Sequence, residues 1–125
     1  MMTTVLENTA IVIVTYKRLE LLEVLFESIQ ANTIWPGRIY VVDNDADEGV
    51  GALAAKLQES LPGTEIRWIP MDTNTGGAGG FSKGVDLAYH DGAEWIWLMD
   101  DDVKLLPDAL EKLMPWMQKA EQKNV

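Results

Sequence analysis

Cysteine is absent from this sequence of 125 residues, and basic side chains are scarce. Without cysteine the chain can form neither disulfides nor thiolate metal sites, which fits a reducing cytosol. Ten basic residues stand against twenty acidic ones, so the net charge is −10, and nucleic acid and anionic membrane surfaces are poor partners. No apolar run approaches the ~20 residues that a membrane-spanning helix needs. The charge remains compatible with an anionic ligand that a divalent cation bridges to the protein.

Apolar residues are abundant, at 47% of the chain against 24% charged residues. This balance predicts one compact domain with a real core. Short apolar runs rich in β-branched and aromatic residues predict four strands, over residues 10–15, 38–43, 65–70 and 94–99. Helical spacing and helix-breaking residues predict helices over 19–31, about 50–61 and a segment ending near His90, with a fourth helix opened by Pro107. The tripeptide "WPG" (35–37) is expected to break the chain before the second strand.

The regular alternation of strands and helices predicts an α/β fold. We expect a Rossmann-like three-layer α/β/α arrangement, with a mainly parallel sheet that helices cover on both faces. In such a sheet all strands end at one edge, where ligands bind. A strand order of 3-2-1-4, favoured by handedness and common topology, places the loop "TYKR" (15–18) beside residues 100–102.

Three consecutive aspartates, Asp100, Asp101 and Asp102, follow the apolar run "WIWLM" without a spacer. Like charges at adjacent positions repel one another unless a cation neutralises them. Asp100 and Asp102, at alternate positions of a turn, can present oxygens to one hard cation, Mg²⁺ or Mn²⁺. The simpler interpretation is a solvated loop, or a helix-capping turn ahead of "LLPDAL".

The glycine-rich stretch "NTGGAGGFSKG" (74–84) is not a P-loop, which needs Gly-Lys-Ser/Thr, nor a dinucleotide fingerprint, which follows the first strand. It predicts a turn into a helix N-terminus, where backbone N–H groups favour an anion or close approach of a ligand. Glycines that serve loop geometry alone are the alternative. Asp43 ends the second predicted strand, where it either accepts hydrogen bonds from a ribose or base or caps the turn. His90 has no partner spacing for a metal site or a triad, so we interpret it as a surface residue.

In order and spacing, "IVIVTYKR", "VVDND", "NTGGAGGFSKGVDLA" and "WIWLMDDDV" resemble the nucleotide-binding half of family 2 glycosyltransferases, which have the GT-A fold. The likeness runs from about Ala10 to Trp116 and looks closest to the galactofuranosyl- and rhamnosyltransferase subgroup. It implies that residues 1–125 form a single nucleotide-diphosphosugar-binding domain, a truncated part of a GT-A catalytic domain. Enzymes of this family transfer a sugar from a nucleotide diphosphosugar, usually with inversion and with Mg²⁺ or Mn²⁺.

The resemblance also implies which residues form the site. The donor would be bound by Thr15, Tyr16, Arg18, Asp43, Asn74, Gly76, Gly77, Lys83, Asp100 and Asp101. Within this set, Thr15 and Arg18 line the base and phosphate end, and Asp43 binds the base. Asp100 and Asp102 form the metal-binding pair, whose cation offsets the charge of the leaving pyrophosphate. The catalytic base that deprotonates the acceptor is expected beyond Val125.

The partners that the resemblance implies are a UDP- or dTDP-sugar donor and a glycan or lipid-linked acceptor. Because further strands would extend a complete sheet, we expect this chain to self-associate through its exposed sheet edge. The full-length protein is expected in the cytoplasm, with peripheral contact at the inner face of the membrane. Two alternatives stay open: a non-catalytic α/β module that binds a nucleotide or metal, and a receiver-like phosphoacceptor domain, which wants acids where Thr15 and Met71 stand.

Overall fold

The computed structural model describes residues 3–123, in which four strands alternate with four helices. The strands are β1 (Thr4–Thr15), β2 (Ile34–Asp43), β3 (Glu65–Pro70) and β4 (Trp95–Asp100). The helices are α1 (Leu19–Gln30), α2 (Glu48–Ser60), α3 (Gly76–His90) and α4 (Ala109–Lys123). All three strand pairings are parallel, and the order is β3-β2-β1-β4. The predicted fold class and the predicted strand order are therefore confirmed.

The two faces of the sheet are covered unequally. On one face, Ile11 and Ile13 of β1 pack in a core cluster to which α1, α2 and the start of α4 contribute. On the other face, Val12 packs in a smaller cluster with Ala88 of α3. Burying each large aliphatic side chain contributes ~1.5–3 kcal/mol to folding. Three layers with helices on both faces are thus confirmed, although on β4 the second face is only partly covered, since Ile96 packs against the smaller cluster and Leu98 is 47% exposed.

The "WPG" tripeptide lies inside β2, so the expected chain break is wrong. Pro36 pairs with Leu6, and the register between β1 and β2 then shifts before Ala10 pairs with Arg38. A Cβ atom on Gly37 would lie 2.7 Å from the carbonyl oxygen of Glu7. The irregularity accommodates a proline that cannot donate a ladder hydrogen bond, and the glycine allows close approach of the two backbones.

Two helices begin at residues other than those predicted. Helix α2 starts at Glu48 because the side chain of Asp47 accepts a hydrogen bond from the backbone N–H of Gly49 at 2.8 Å. Pro107 lies in the turn directly before α4, two residues ahead of Ala109 and outside the helix, whereas Pro115 lies inside it. None of the described helices has the length and apolar character needed to cross a membrane.

A hydrogen-bonded cluster ties the C-terminal end of α3 to the sheet. The buried hydroxyl of Tyr40 donates to Asp91 Oδ2 at 2.6 Å, and Arg67 Nη1 lies 3.0 Å from the same oxygen. Burial and this hydrogen bond raise the pKa of Tyr40 to about 12. The hydrogen bond from Tyr40, helped by the charge of Arg67, lowers the pKa of Asp91 below its usual range.

We expect the folded protein to become less stable at alkaline pH because of the raised pKa of Tyr40. The folded protein holds the phenol proton up to a pKa of about 12, whereas an unfolded tyrosine ionises near pH ~10. Between these values the unfolded state binds fewer protons, so the free energy of unfolding falls as the pH rises. Thermal melts at about pH 9 and about pH 11.5 span most of this range. Between the two pH values, the Tm of the parent should fall more than the Tm of Tyr40→Phe. A Tm difference independent of pH would contradict the shift.

Candidate functional site

Four loops meet at the carboxyl edge of the sheet and enclose a cleft of about 300 Å³. The volume is at the lower end of the range for small-molecule sites. The cleft is lined by Val14, Thr15, Tyr16, Arg18, Asn44, Asn74, Gly76, Gly77, Asp100 and Asp101. Eight of these residues are among the ten donor-binding residues predicted from the sequence. The remaining two of those ten, Asp43 and Lys83, lie outside the cleft lining.

The three aspartates after β4 do not share one environment. Asp101 is only 5% exposed, and its Oδ2 accepts a hydrogen bond from Thr15 Oγ1 at 2.9 Å. Asp100 and Asp102 are both exposed, and Asp100 lines the cleft. A buried carboxylate needs partners of this kind, because burying an unpaired charge is costly. The middle aspartate therefore holds the loop in place, and the outer two carboxylates are available to a ligand.

Arg18 offsets the repulsion among these carboxylates. Its Nη1 lies 3.4 Å from Asp101 Oδ1 and 3.8 Å from Asp102 Oδ2. The side chains of Arg18 and Asp102 are 54% and 53% exposed, so this second contact is screened by solvent and contributes little to stability. Arg18 is thus anchored weakly enough to turn toward an anionic ligand in the cleft.

The outer carboxylates fit a divalent cation that is shared with a ligand. Among residues 3–123, no three carboxylate or imidazole side chains form a group that could hold a metal alone. Mg²⁺ typically takes only one or two carboxylates and completes its shell with water and phosphate oxygens. Exposed Asp100 and Asp102 match that requirement in donor chemistry and accessibility, whereas Asp101 is buried and bonded to Thr15 and Arg18.

The glycine-rich turn opens α3 with a conformation that requires glycine at one position. Gly76 has φ +72, and its N–H donates to Asn74 Oδ1 at 2.9 Å. A Cβ on Gly80 would lie 2.7 Å from Val14 Cγ1, so packing explains that glycine. A Cβ on Gly77 would meet no protein atom within 4 Å. Packing therefore gives no reason for glycine at position 77, whereas close approach of a ligand in the cleft would.

Asp43 is placed as a buried turn residue. It is fully buried, and its carboxylate accepts hydrogen bonds from the backbone N–H groups of Asp45 at 3.0 Å and Asp47 at 2.8 Å. Its Oδ2 also accepts from Trp68 Nε1 at 3.0 Å. Of the two roles considered for Asp43, this geometry is that of the cap, and direct contact with a base would require the loop to open.

Lys83 and Asp102 do not line the cleft. Lys83 is exposed on α3, two turns from the helix start, and Asp102 is exposed beside Arg18. Sequence reasoning also missed Asn44, which is 5% exposed and lines the cleft. The signal available for it was an amide directly after Asp43, at the end of a predicted strand.

Two residues at this edge of the sheet have left-handed backbones without being glycine. Lys17 has φ 54 in the loop after β1, and Ala46 has φ 47 in the loop after β2. Each such residue costs about 1–2 kcal/mol relative to a right-handed conformation. Strain of this kind concentrates at functional sites, which agrees with the position of the cleft.

A second cavity, of about 360 Å³, lies between β4 and α4. It is slightly larger than the cleft, and its walls include Trp95, Trp97 and Trp116. None of its lining residues is ionisable, and Thr9 is the one polar side chain among them. The carboxylates and the guanidinium at this end of the sheet lie at the smaller cleft, which is therefore the candidate functional site.

The sequence model of the family described as Glycosyl transferase family 2 matches residues 10–125. The chain belongs to this family. Among curated relatives, galactofuranosyltransferase GlfT1 of Mycolicibacterium smegmatis is 38% identical over 96 residues, which cover 77% of this chain and 30% of that protein. The uncharacterized glycosyltransferase YwdF of Bacillus subtilis is 38% identical over 112 residues, or 90% of this chain and 39% of that protein.

Solved structures share the fold of this family 2 chain. The mannosyltransferase PcManGT from Pyrobaculum calidifontis, solved with GDP-Man and Mn²⁺, matches with a TM-score of 0.71 and 17% identity, over 88% of this chain and 32% of that one. TarS of S. aureus matches with a TM-score of 0.68 and 20% identity, over 89% of this chain and 19% of that one. These neighbours confirm the predicted GT-A type of fold. The chain spans between 30% and 39% of the length of the two curated relatives named above.

Proposed function

We propose that this chain is the donor-binding part of an inverting, metal-dependent glycosyltransferase. The donor is a UDP- or dTDP-sugar, and the acceptor of the full-length enzyme is a glycan or a lipid-linked glycan. A lipid-linked acceptor would bring the full-length protein to the cytoplasmic face of a membrane. The observation that carries the proposal is the cleft at the carboxyl edge of the sheet, where the glycine turn, Arg18 and Asp100 face one space.

The burial of each side chain divides the site residues into two roles. Exposed residues of the cleft would touch the donor, and these are Tyr16, Arg18, Asn74, Gly76, Gly77 and Asp100. Buried residues would fix the loops, since Thr15 and Asp101 bond to each other and Asp43 caps the turn after β2. Lys83, exposed on α3, would add positive charge on the glycine side of the site.

The pair Asp100 and Asp102 would hold Mn²⁺ or Mg²⁺ together with the diphosphate. When bound, such a cation acts as a Lewis acid that stabilises the negative charge of the departing nucleoside diphosphate. The protein contributes two carboxylates at exposed positions and the Arg18 guanidinium, which lies 3.4 Å from Asp101 and 3.8 Å from Asp102. Arg18 can leave Asp102 and bond to a phosphate oxygen, a geometry that guanidinium groups favour.

The identity of the nucleotide base can be tested with a panel of nucleoside diphosphates. We expect UDP and dTDP to bind in the presence of Mn²⁺ more tightly than GDP, ADP or CDP. Calorimetric titration of each compound measures the preference. Equal affinity for all five would contradict the proposed donor class, because a site that recognises only the diphosphate does not distinguish bases.

We expect Gly77→Ala to weaken binding of UDP or dTDP without destabilising the fold. Alanine is favoured over glycine in a helix by roughly 0.5–1 kcal/mol, and its methyl group meets no protein atom. The same methyl group intrudes into the space proposed for the donor, and we expect affinity to fall by about tenfold, or ~1.4 kcal/mol.

Gly84→Ala is the matched control for this prediction. Its methyl group would crowd the core side chain of Val12, which does not line the cleft, so overpacking should cost about 1–3 kcal/mol of stability. Tm and calorimetric affinity should therefore separate the two variants. If Gly77→Ala binds UDP and dTDP as the parent does, the donor does not approach this turn.

We expect this chain to self-associate with a second copy at high concentration. Among residues 3–123 the sheet has no strand beyond β4, and Leu98 on that strand is 47% exposed. Unpaired strand edges with apolar side chains pair with other chains. Light scattering across a range of concentrations should show dimers that Leu98→Lys disperses. A monomer at every concentration would contradict the expectation.

A further inference from the structure

The side chain of Asn44 connects the end of β2 to the start of α3. Its Oδ1 accepts hydrogen bonds from the backbone N–H of Thr75 at 3.1 Å and from Thr75 Oγ1 at 2.9 Å. Its Nδ2 donates to the carbonyl oxygen of Gly76 at 3.0 Å. Asn44 itself is 5% exposed, whereas Thr75 and Gly76 are exposed, so these bonds are partly buried. One side chain thus fixes both residues that precede the open space at Gly77.

The orientation of this amide is determined by chemistry. A backbone N–H can only donate, so the atom that faces the N–H of Thr75 must be the oxygen of Asn44. A backbone carbonyl can only accept, so the atom that faces Gly76 must be the nitrogen. An aspartate at position 44 would keep the first contact and repel the carbonyl of Gly76.

The same residue extends the connection to the opposite wall of the cleft. The backbone N–H of Asn44 donates to the carbonyl oxygen of Thr15 at 3.0 Å. Thr15 Oγ1 in turn donates to Asp101, which also contacts Arg18. A continuous chain of hydrogen bonds therefore runs beneath the cleft from the glycine turn to the aspartates. Buried networks in which every member is bonded rigidify the groups attached to them.

We propose that Asn44 is a positioning residue, which holds the glycine turn in the arrangement that accepts the diphosphate of the donor. The inference rests on the proposed function of the cleft and adds a residue to it. Asn44 acts through Thr75 and Gly76, whose placement sets where the first N–H groups of α3 point. Without the amide, the turn occupies several arrangements, only some of which can bind the donor. The apparent affinity is then the intrinsic affinity multiplied by the fraction of molecules in a binding-competent arrangement.

Asn44→Ala tests this role, together with a matched pair at its partner. Asn44→Ala should lower affinity for UDP or dTDP with Mn²⁺ by about tenfold, as expected if the turn is competent about one tenth of the time. Thr75→Val removes one of the three hydrogen bonds with little change in shape, and we expect a smaller loss, about threefold. Thr75→Ser keeps the hydroxyl and should bind as the parent does.

Asp91→Ala controls for general loosening of α3. Asp91 holds the far end of the helix through Tyr40 and Arg67, so its loss should lower Tm and leave nucleotide affinity unchanged. Hydrogen exchange gives a readout that requires no ligand. The amide of Thr75 should exchange faster in Asn44→Ala than in Asp91→Ala, because only the former variant removes its acceptor.

The outcomes separate this inference from the function on which it rests. If the parent chain binds the nucleotide, and Asn44→Ala and Thr75→Val bind it with the same affinity, the role of Asn44 is overturned and the proposed function is not. Equal losses in Asp91→Ala and Asn44→Ala would also overturn it, because the effect would then be one of stability. Failure of the parent chain to bind UDP or dTDP with Mn²⁺ would overturn the proposed function and this role with it.

Discussion

Replacing both Asp100 and Asp102 with asparagine is expected to lower the affinity for UDP or dTDP in the presence of Mn²⁺ by about 100-fold or more. Loss of a group that only orients a metal ligand typically lowers metal affinity or activity by about 10–100-fold, and loss of a direct ligand should lower it at least as much. Asparagine keeps the shape of the side chain and removes the charge that binds a hard cation. Asp102→Asn alone should already remove most of the dependence on metal.

Asp45→Asn is the matched control for this pair. Asp45 is exposed at the same edge of the sheet, and Asp45→Asn removes one negative charge, as each single substitution of the pair does, but Asp45 lies outside the cleft lining. Its effect on affinity should be limited to weak, screened electrostatics. Because Asp100 and Asp102 are exposed, their substitution should leave stability within about 0.5 kcal/mol of the parent. Equal losses of affinity in the control and in the double variant would contradict a metal site at the triplet.

The second large effect concerns the reaction itself, because we expect this chain alone not to transfer sugar to an acceptor. A positioned base within hydrogen-bond reach of the acceptor hydroxyl typically contributes about 10²–10⁴-fold. Asp43 and Asp101 are buried and bonded within the protein, and Asp100 and Asp102 are assigned to the metal and donor. Fixing the acceptor in line with the anomeric carbon is a further and larger contribution. Slow hydrolysis of the donor is the most that we expect.

Mass spectrometry of reactions with Mn²⁺, UDP- and dTDP-sugars and glycan or lipid acceptors measures this directly. Donor binding by the same preparation is the positive control, and Asp102→Asn should abolish any slow hydrolysis. Multiple-turnover transfer by this chain would show that a base lies within its own residues. A chain that binds the donor but does not hydrolyse it would favour the non-catalytic module, provided that a longer polypeptide containing this chain also fails to transfer sugar.

Much of the fold could be predicted from local patterns. The core parts of all four strands are apolar and rich in β-branched or aromatic residues, and the order follows from common parallel topology. The first part of β1, from Thr4 to Asn8, is mixed in polarity and becomes a strand because β2 pairs with it. Pro36 and Gly37 belong to β2 for the same reason. Pairing with a neighbouring strand determines the conformation of these segments, and the local sequence does not indicate that pairing.

The different burial of the three aspartates was predictable from the strand period. Trp97 and Met99 point toward the larger core cluster, and continuing the two-residue period places Asp101 on that face. Asp101 is accordingly buried, and Asp100 falls on the opposite, less covered face. The contacts of Asn44 were not predictable in this way, because they depend on the paths of two loops that are distant in sequence.

A calorimetric titration of the parent chain with UDP and with dTDP, in Mn²⁺ and in excess chelator, tests the metal-dependent donor site most directly. Without a cation, exposed Asp100 and Asp102 and the net charge of −10 repel a diphosphate. We predict measurable binding of at least one of the two nucleotides in Mn²⁺ and none in chelator. Equal affinity under both conditions would show that the aspartates after β4 do not hold the cation on which donor binding is proposed to depend.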